Sequence, residues 1–387
     1  MDRRSFLAAT AGASALCGLP ALAMKAPDMK TRWIVRGSEG FDALSFLGPL
    51  SGDPFYLDYY KKEVAEFAPR MSAAAMATLK ALKQRAEKAN ILFSPFLDLR
   101  FSAGPDATIA DLLESAADPD RRILPRYRAS PYGDDSEDEW SQFKAVLPAV
   151  TTILTGLQQA GFPAFRRAIV DAKARRFDQL RTKLSGFDVI RGAEFYTGRE
   201  FDPTIEIILL EFCKPHGIKV IGQRFLSAIG WPDDVHIRTG GHEILHPPVE
   251  MAGTAAKAAL AILHRNSLLQ QIVREHDPKF GYNSIEGIFD EDLTSALDQL
   301  IAQRNGVARD PRKRWTEVDG GMHVLSAAFY ALMKQDGFAR TGGNLEQWLL
   351  RKARSGALDP KSLHAAAARV LGRPANRLWP VQVPAKR

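Results

Sequence analysis

The apolar positions of this chain fall mostly at three- and four-residue spacing, the period of an amphipathic helix. Ser72 to Ala89, rich in Ala, Leu and Lys, carries one such stripe and predicts a helix. Tyr56 to Phe67 is a second amphipathic run. Asp53-Pro54 before it supplies an N-cap and a first-turn proline, and Pro69 stops it. A helix opens over Gly40 to Leu47, and a short one covers Thr108 to Ala117. The rest of 91–130 is interrupted by Pro and Gly. Helices follow over roughly 140–160, with Pro148 as a kink, and 163–184, with Gly161-Phe162-Pro163 between them. Downstream, helical patterns occupy 249–274, Tyr282 to Gln303, Met322 to Lys334, Leu345 to Ala353 and Pro360 to Val370.

The pattern changes between these two helical halves. Asp188 to Tyr196, Thr204 to Phe212 and Gly217 to Gln223 are rich in Val, Ile and Phe with turn residues between them, which predicts three strands. Trp33-Ile34-Val35 reads as a brief strand, Trp231 to Asp234 as a turn and Val235-His236-Ile237 as one more strand. The expected fold is therefore α+β and predominantly helical, with a small β-sheet ahead of residue 242.

That sheet leads into Gly241-His242-Glu243-Ile244-Leu245-His246, an H-E-x-x-H motif. On a helix, His242 and His246 lie one turn apart on one face and can bind one zinc ion, with Glu243 placed as a general base toward a water that the metal activates. Pro247 and Pro248 follow directly, and proline disfavours helix in the residue before it. The motif helix is expected to be short, with Thr239-Gly240-Gly241 as its N-terminal turn. A catalytic zinc needs a third protein ligand, and Glu250, Glu286 and Glu291 are the downstream candidates. Helical periodicity alone favours Glu286, because 285, 289, 293, 296 and 300 form one apolar stripe and Glu291 points away from it. A tyrosine or histidine is expected to stabilise the oxyanion, with His236, Tyr282, His323 and Tyr330 as candidates. An extended peptide could pair with the edge of a strand among 188–223.

The beginning of the chain reads as an export signal. Arg3-Arg4-Ser5-Phe6-Leu7 resembles the twin-arginine pattern, Ala8 to Leu19 is an apolar, small-residue stretch, and Ala21-Leu22-Ala23 is an A-x-A cleavage site. The stretch is short for a membrane span, and Leu16 before Cys17 is wrong for a lipobox. Residues 1–23 are thus expected to be a cleaved signal peptide, and the mature protein periplasmic or secreted with no membrane attachment. Of two cysteines, Cys17 and Cys213, only Cys213 would remain, which excludes an internal disulfide and a cysteine-rich metal site. Cys213 lies in an apolar run and reads as buried. The formal net charge is +7, but basic blocks such as Lys173 to Arg176 and Arg312 to Arg314 lack interleaved aromatics and read as solvated faces, not as a nucleic-acid surface. The acidic run Asp134 to Glu139 reads as a solvated loop or a helix's first turn.

Phe289-Asp290-Glu291-Asp292-Leu293-Thr294-Ser295-Ala296 fits the frame F-[ND]-E-x-[LI]-x-x-A behind the H-E-x-x-H motif. Together the two motifs resemble an exported gluzincin-type metallopeptidase family, catalogued mainly as a domain of unknown function. The stretches Phe195 to Gly198 and Thr204 to Leu209, and an early helix with Tyr59-Tyr60, are similar to it as well. The resemblance covers roughly 30–350 in layout. It implies Glu291 as the third zinc ligand, beside His242 and His246, with Glu243 catalytic and a peptide or protein as substrate. Pro247-Pro248, and Ser295 where the family has arginine, are departures. The domains expected on this reading are the signal peptide at 1–23, a helical N-terminal region at 24–185 and a zincin-like catalytic region at 186–387. Alternatives are an inactive periplasmic binding or scaffold protein of the same layout, and a zinc amidase acting on peptidoglycan.

Overall fold

A computed structural model describes residues 29–89, 91–133, 137–277 and 280–380. The expected signal peptide and residues 134–136 of the acidic run lie outside the described residues. The fold is α+β and 65% helical, with one four-stranded sheet. Among the described residues, no helix is long and apolar enough to cross a membrane.

The sheet runs in the order β1 (Arg32–Gly37), β2 (Thr204–Leu210), β4 (Arg224–Ala228), β3 (Ile218–Val220). β1 pairs with β2, and β2 with β4, in parallel; β3 joins β4 antiparallel and forms an edge of three residues. The long helical segment between β1 and β2 is thus inserted between two adjacent strands. Strand alternation divides the core in two. Val35, Ile205, Ile207, Leu209 and Phe225 face the helices of the C-terminal half, whereas Ile208, Leu210, Leu226 and Ala228 face those of the N-terminal half.

Two expected strands are helices instead. Val189–Thr197 is a buried helix, because the Asp188 carboxylate caps its Arg191 amide and Gly198 ends it at φ 70°. A short run of Val, Ile and Phe has the same composition in a buried helix as in a strand, so periodicity did not separate them. Val235-His236-Ile237 lies inside the helix Asp233–Glu243, whose first turn carries Asp233 and Asp234 against the positive end of its dipole. Thr239-Gly240-Gly241 is therefore the last part of the motif helix, not its first turn. The expected helix at 249–274 is two, Thr254–Leu263 and Ser267–Glu275, broken where Asn266 caps the second. Phe93–Phe101, in the stretch expected to be interrupted, is also a helix.

Candidate metal centre

The motif helix packs directly on the sheet because Gly240 has no side chain. A Cβ there would lie 2.9 Å from the Trp33 ring of β1 and 3.2 Å from Phe225 of β4. The helix ends at Glu243, and Ile244 to His246 form a turn ahead of the prolines. His246 is thus outside the helix, yet still returns to the same face as His242. Lys219 of β3 holds that turn: its ammonium donates to the Glu243 carbonyl and, at 3.0 Å, to the His246 carbonyl. These are carbonyls that a helix end leaves without intrahelical partners.

Across from the motif runs the helix Ile285–Arg304, started by the Ser284 cap. It is buried on nearly all sides, so no single apolar stripe defines its inward face. At 100° per residue, Asp290, Glu291, Thr294 and Asp298 share an arc of about 100°, and that arc faces the motif. Glu291 Oε2 lies 3.4 Å from His242 Nε2 and 3.5 Å from His246 Nε2, and the two Nε2 atoms are 2.9 Å apart. A point about 1.9 Å from all three atoms exists within this triangle, close to zinc bond lengths of about 2.0–2.2 Å. Two imidazole nitrogens at that separation need a proton or a cation between their lone pairs. Among the described residues these three form the group able to hold a metal ion.

Behind each imidazole stands a carboxylate. His242 Nδ1 meets Asp298 Oδ2 at 2.7 Å, and His246 Nδ1 meets Asp290 Oδ2 at 2.9 Å, with Thr294 Oγ1 at 3.5 Å. Asp298 is itself gripped by Arg314, with Nη2 at 2.9 Å from Oδ2. Such contacts fix the tautomer that turns Nε2 toward a metal and raise the basicity of the ring. The same carboxylates shift the acidity of the imidazoles. Burial opposes their charge, but Asp290 and Glu291 raise His246 to about 9, and Glu291 and Asp298 carry His242 well above the usual histidine range. Burial would raise Glu291, but the two histidines hold it well below the usual carboxylate range. Burial raises the Glu243 carboxyl against the pull of His242, His246 and Lys219.

The three candidate third ligands separate cleanly. Glu286, favoured by periodicity, is half exposed and bonded to His264 Nε2 at 2.8 Å. Glu250 is exposed on the loop after the prolines and is not part of the group. Glu291, implied by the family resemblance, is the one in the triad. Ser295, the departure from that frame, accepts a buried hydrogen bond from Trp315 Nε1 at 3.0 Å. Among the oxyanion candidates, His236 is fully buried and shares a hydrogen bond with Ser227 at 2.8 Å. His323 lies between Asp292 and Asp319, and Tyr330 accepts from Gln303. Tyr282 is the candidate that feels the centre: burial and the charge of Glu291 push its phenol well above the usual tyrosine range, and its ring lies edge-on to His323. Its backbone sits at φ 55°, a left-handed conformation that costs a bulky residue about 1–2 kcal/mol. Tyr132, not singled out from sequence, lines the cleft beside His246, where the charges of Glu243 and Asp290 reach it.

Two clefts flank the triad. One, of about 560 Å³, is lined by His246, Pro247, Tyr132, Arg199 and Lys219. The other, of about 860 Å³, is lined by His242, Glu243, Trp231, Thr239 and Asp298. Cys213 is buried, as its apolar surroundings in the sequence predict. The chain matches no family model, no curated protein and no solved structure.

Proposed function

We propose that this chain is an exported, zinc-dependent hydrolase, and specifically a metallopeptidase. The observation that carries the reading is the convergence of His242, His246 and Glu291 on one point, with a carboxylate behind each imidazole. The resemblance in the H-E-x-x-H motif and the Glu291 frame supports the same conclusion, and the twin-arginine pattern supports export in folded form. His242, His246 and Glu291 would hold the metal. Zinc bound there supplies a Lewis acid that brings a water's pKa to about 7 and polarises a carbonyl. Glu243, next to His242 and lining the larger cleft, takes the proton of the attacking water and passes it to the leaving amine. Tyr132 offers a phenol donor to the developing oxyanion from the opposite cleft. Asp298, Asp290 and Lys219 hold the ligands in position. The two clefts receive the substrate chain on either side of the bond to be cut.

Zinc measured by mass spectrometry on protein exported by its own signal tests the reading. About one equivalent is expected in the wild type and strong depletion in His246→Ala; less than about 0.2 equivalents in the wild type would sink it. Muropeptides assayed beside unfolded proteins separate a peptidase from a peptidoglycan amidase.

A further inference from the structure

The cleft on the His246 side carries four cationic side chains, Arg126, Arg199, Lys219 and Arg224. Two of them are already engaged. Arg224 pairs with Asp106 at 2.9 Å and lies 3.9 Å from Glu206. Lys219 holds the carbonyls of the motif turn. The other two are not matched by protein carboxylates. Arg199 donates both Nη groups to the neutral carbonyl of Pro247, at 3.1 Å each, and buries its Nε without a partner. Burial depresses its basicity, which Glu346 offsets only from beyond ion-pair distance. Arg126 feels Asp106 and Glu206 from outside ion-pair reach, while burial and the neighbouring Arg224 disfavour its charge. Among the described residues, neither arginine forms an ion pair.

The acidic groups of the same wall do not cancel these charges. Glu206 is taken by Arg36 and Arg224, and Glu200 and Asp202 are exposed, where water and salt screen them. A partly desolvated guanidinium without a counter-charge raises the energy of the free protein, and a carboxylate placed against Arg199 relieves it. Guanidinium also matches carboxylate in shape, because its planar fork donates two parallel hydrogen bonds. The location matters as much as the charge. Arg199 grips the residue that follows the ligand His246, so a group bound to it lies on one fixed side of the metal.

We propose that the substrate is an acidic peptide, and that its segment on the His246 side of the scissile bond places a carboxylate against Arg199, in the cleft that Arg126 also lines. This rests on the metallopeptidase reading. The carboxylate comes either from the peptide's own C-terminus or from an Asp or Glu side chain.

The test uses fluorescein-labelled hexa-alanine peptides with one Glu or one Gln scanned along them, each made as free acid and as C-terminal amide. They are titrated into Glu243→Gln protein supplied with zinc, and Kd is read by anisotropy. An acid-bearing peptide is expected to bind about tenfold more tightly than its neutral twin, the advantage of a charge-assisted over a neutral contact. Comparing free acid with amide, and Glu with Gln, identifies the source. The advantage should shrink toward one in Arg199→Gln, fall by a smaller factor in Arg126→Gln, and persist in Arg121→Gln, an exposed cation outside the cleft. Because Arg126 is exposed, its variant keeps the test open should Arg199→Gln fail to fold. Equal binding of all the peptides, or an acid advantage left undiminished in a folded cleft variant, overturns the proposal. Acid preference without any hydrolysis by the wild type would instead sink the peptidase reading and leave the carboxylate site standing.

Discussion

His242 and Asp298 are joined by a 2.7 Å hydrogen bond that runs from the motif helix to the helix carrying Glu291. The relationship is unequal to its counterpart at His246. Asp298 is almost fully buried and clamped by Arg314, whereas the side chain of Asp290 is 30% exposed and its Oδ1 has no partner. A carboxylate held rigidly constrains its imidazole more than a mobile one does. Asp298→Asn is therefore expected to weaken zinc affinity by about 10–100-fold, and Asp290→Asn by less. Competition against a chelator of known affinity measures both. Equal losses would show that burial of the supporting carboxylate does not matter here.

Glu291 and Glu286 lie five residues apart on one helix but have opposite surroundings, which makes them a matched pair for testing the ligand set. Glu291→Gln removes the carboxylate that lies within 3.5 Å of both Nε2 atoms and should strip zinc from the purified protein. Glu286→Gln loses a surface contact with His264, expected to be worth less than about 1 kcal/mol, and should keep zinc. Glu243→Gln should keep zinc as well while losing hydrolysis, because it changes the base and no ligand. Retained hydrolysis in that variant would remove Glu243 from its role.

The fold class and the motif pair were legible in the sequence, while the supporting shell was not. β2 could be read from Thr204 to Phe212 because alternate residues face two different cores, and both are apolar. Val189–Thr197 could not be separated from a strand, since its polar face is only Arg191 and Glu194, too short a repeat to fix the period. The same blindness put Glu286 ahead of Glu291: the stripe argument assumes one buried face, and Ile285–Arg304 is surrounded. The family frame found Glu291 where periodicity did not. Asp290 and Asp298 carried a usable signal beside Glu291, because carboxylates at i, i+1 and i+8 project from one side of a helix; Arg314, on another helix, carried none. Lys219 carried none, since its role depends on where a three-residue edge strand meets the motif turn.

Tyr132 feels the charges of Glu243 and Asp290, and Tyr282 chiefly that of Glu291, and their phenols should separate in function. Tyr282 lies where the charge of Glu291 acts on its phenol, so Tyr282→Phe is expected to act on the metal, lowering zinc retention together with activity. Tyr132 faces Glu243 and Asp290 across the cleft, so Tyr132→Phe should leave zinc content unchanged and lower kcat by about 10²–10³-fold, the loss of one oxyanion donor. Zinc analysis and peptide hydrolysis on the two variants check both statements. An unchanged kcat in Tyr132→Phe would return the oxyanion role to another group.

Asp188 ties the chain entering β1 to the helix behind it, and its ionisation should be visible in the stability of the whole fold. Its carboxylate accepts from the amides of Lys30 at 3.0 Å, Thr31 at 3.1 Å and Arg191 at 3.2 Å, and from the Arg191 guanidinium at 2.8 Å. Burial alone would raise it, but these donors and the Thr31 hydroxyl bring it down to about 2. The unfolded chain has an aspartate near its ordinary value of about 3.9. The folded state therefore binds this proton less readily than the unfolded state does. The stabilisation is present above about pH 3.9 and is lost as pH falls through about 2. After a discount for the partial exposure of the side chain, it amounts to about 1–2 kcal/mol. Urea unfolding of wild type and Asp188→Asn, with chelator present throughout so that metal release does not enter, should show a gap of that size at pH 6. The gap should narrow steadily between pH 4 and pH 2. A gap that stays constant across that range would assign the contribution to hydrogen-bond geometry alone and not to the charge of Asp188.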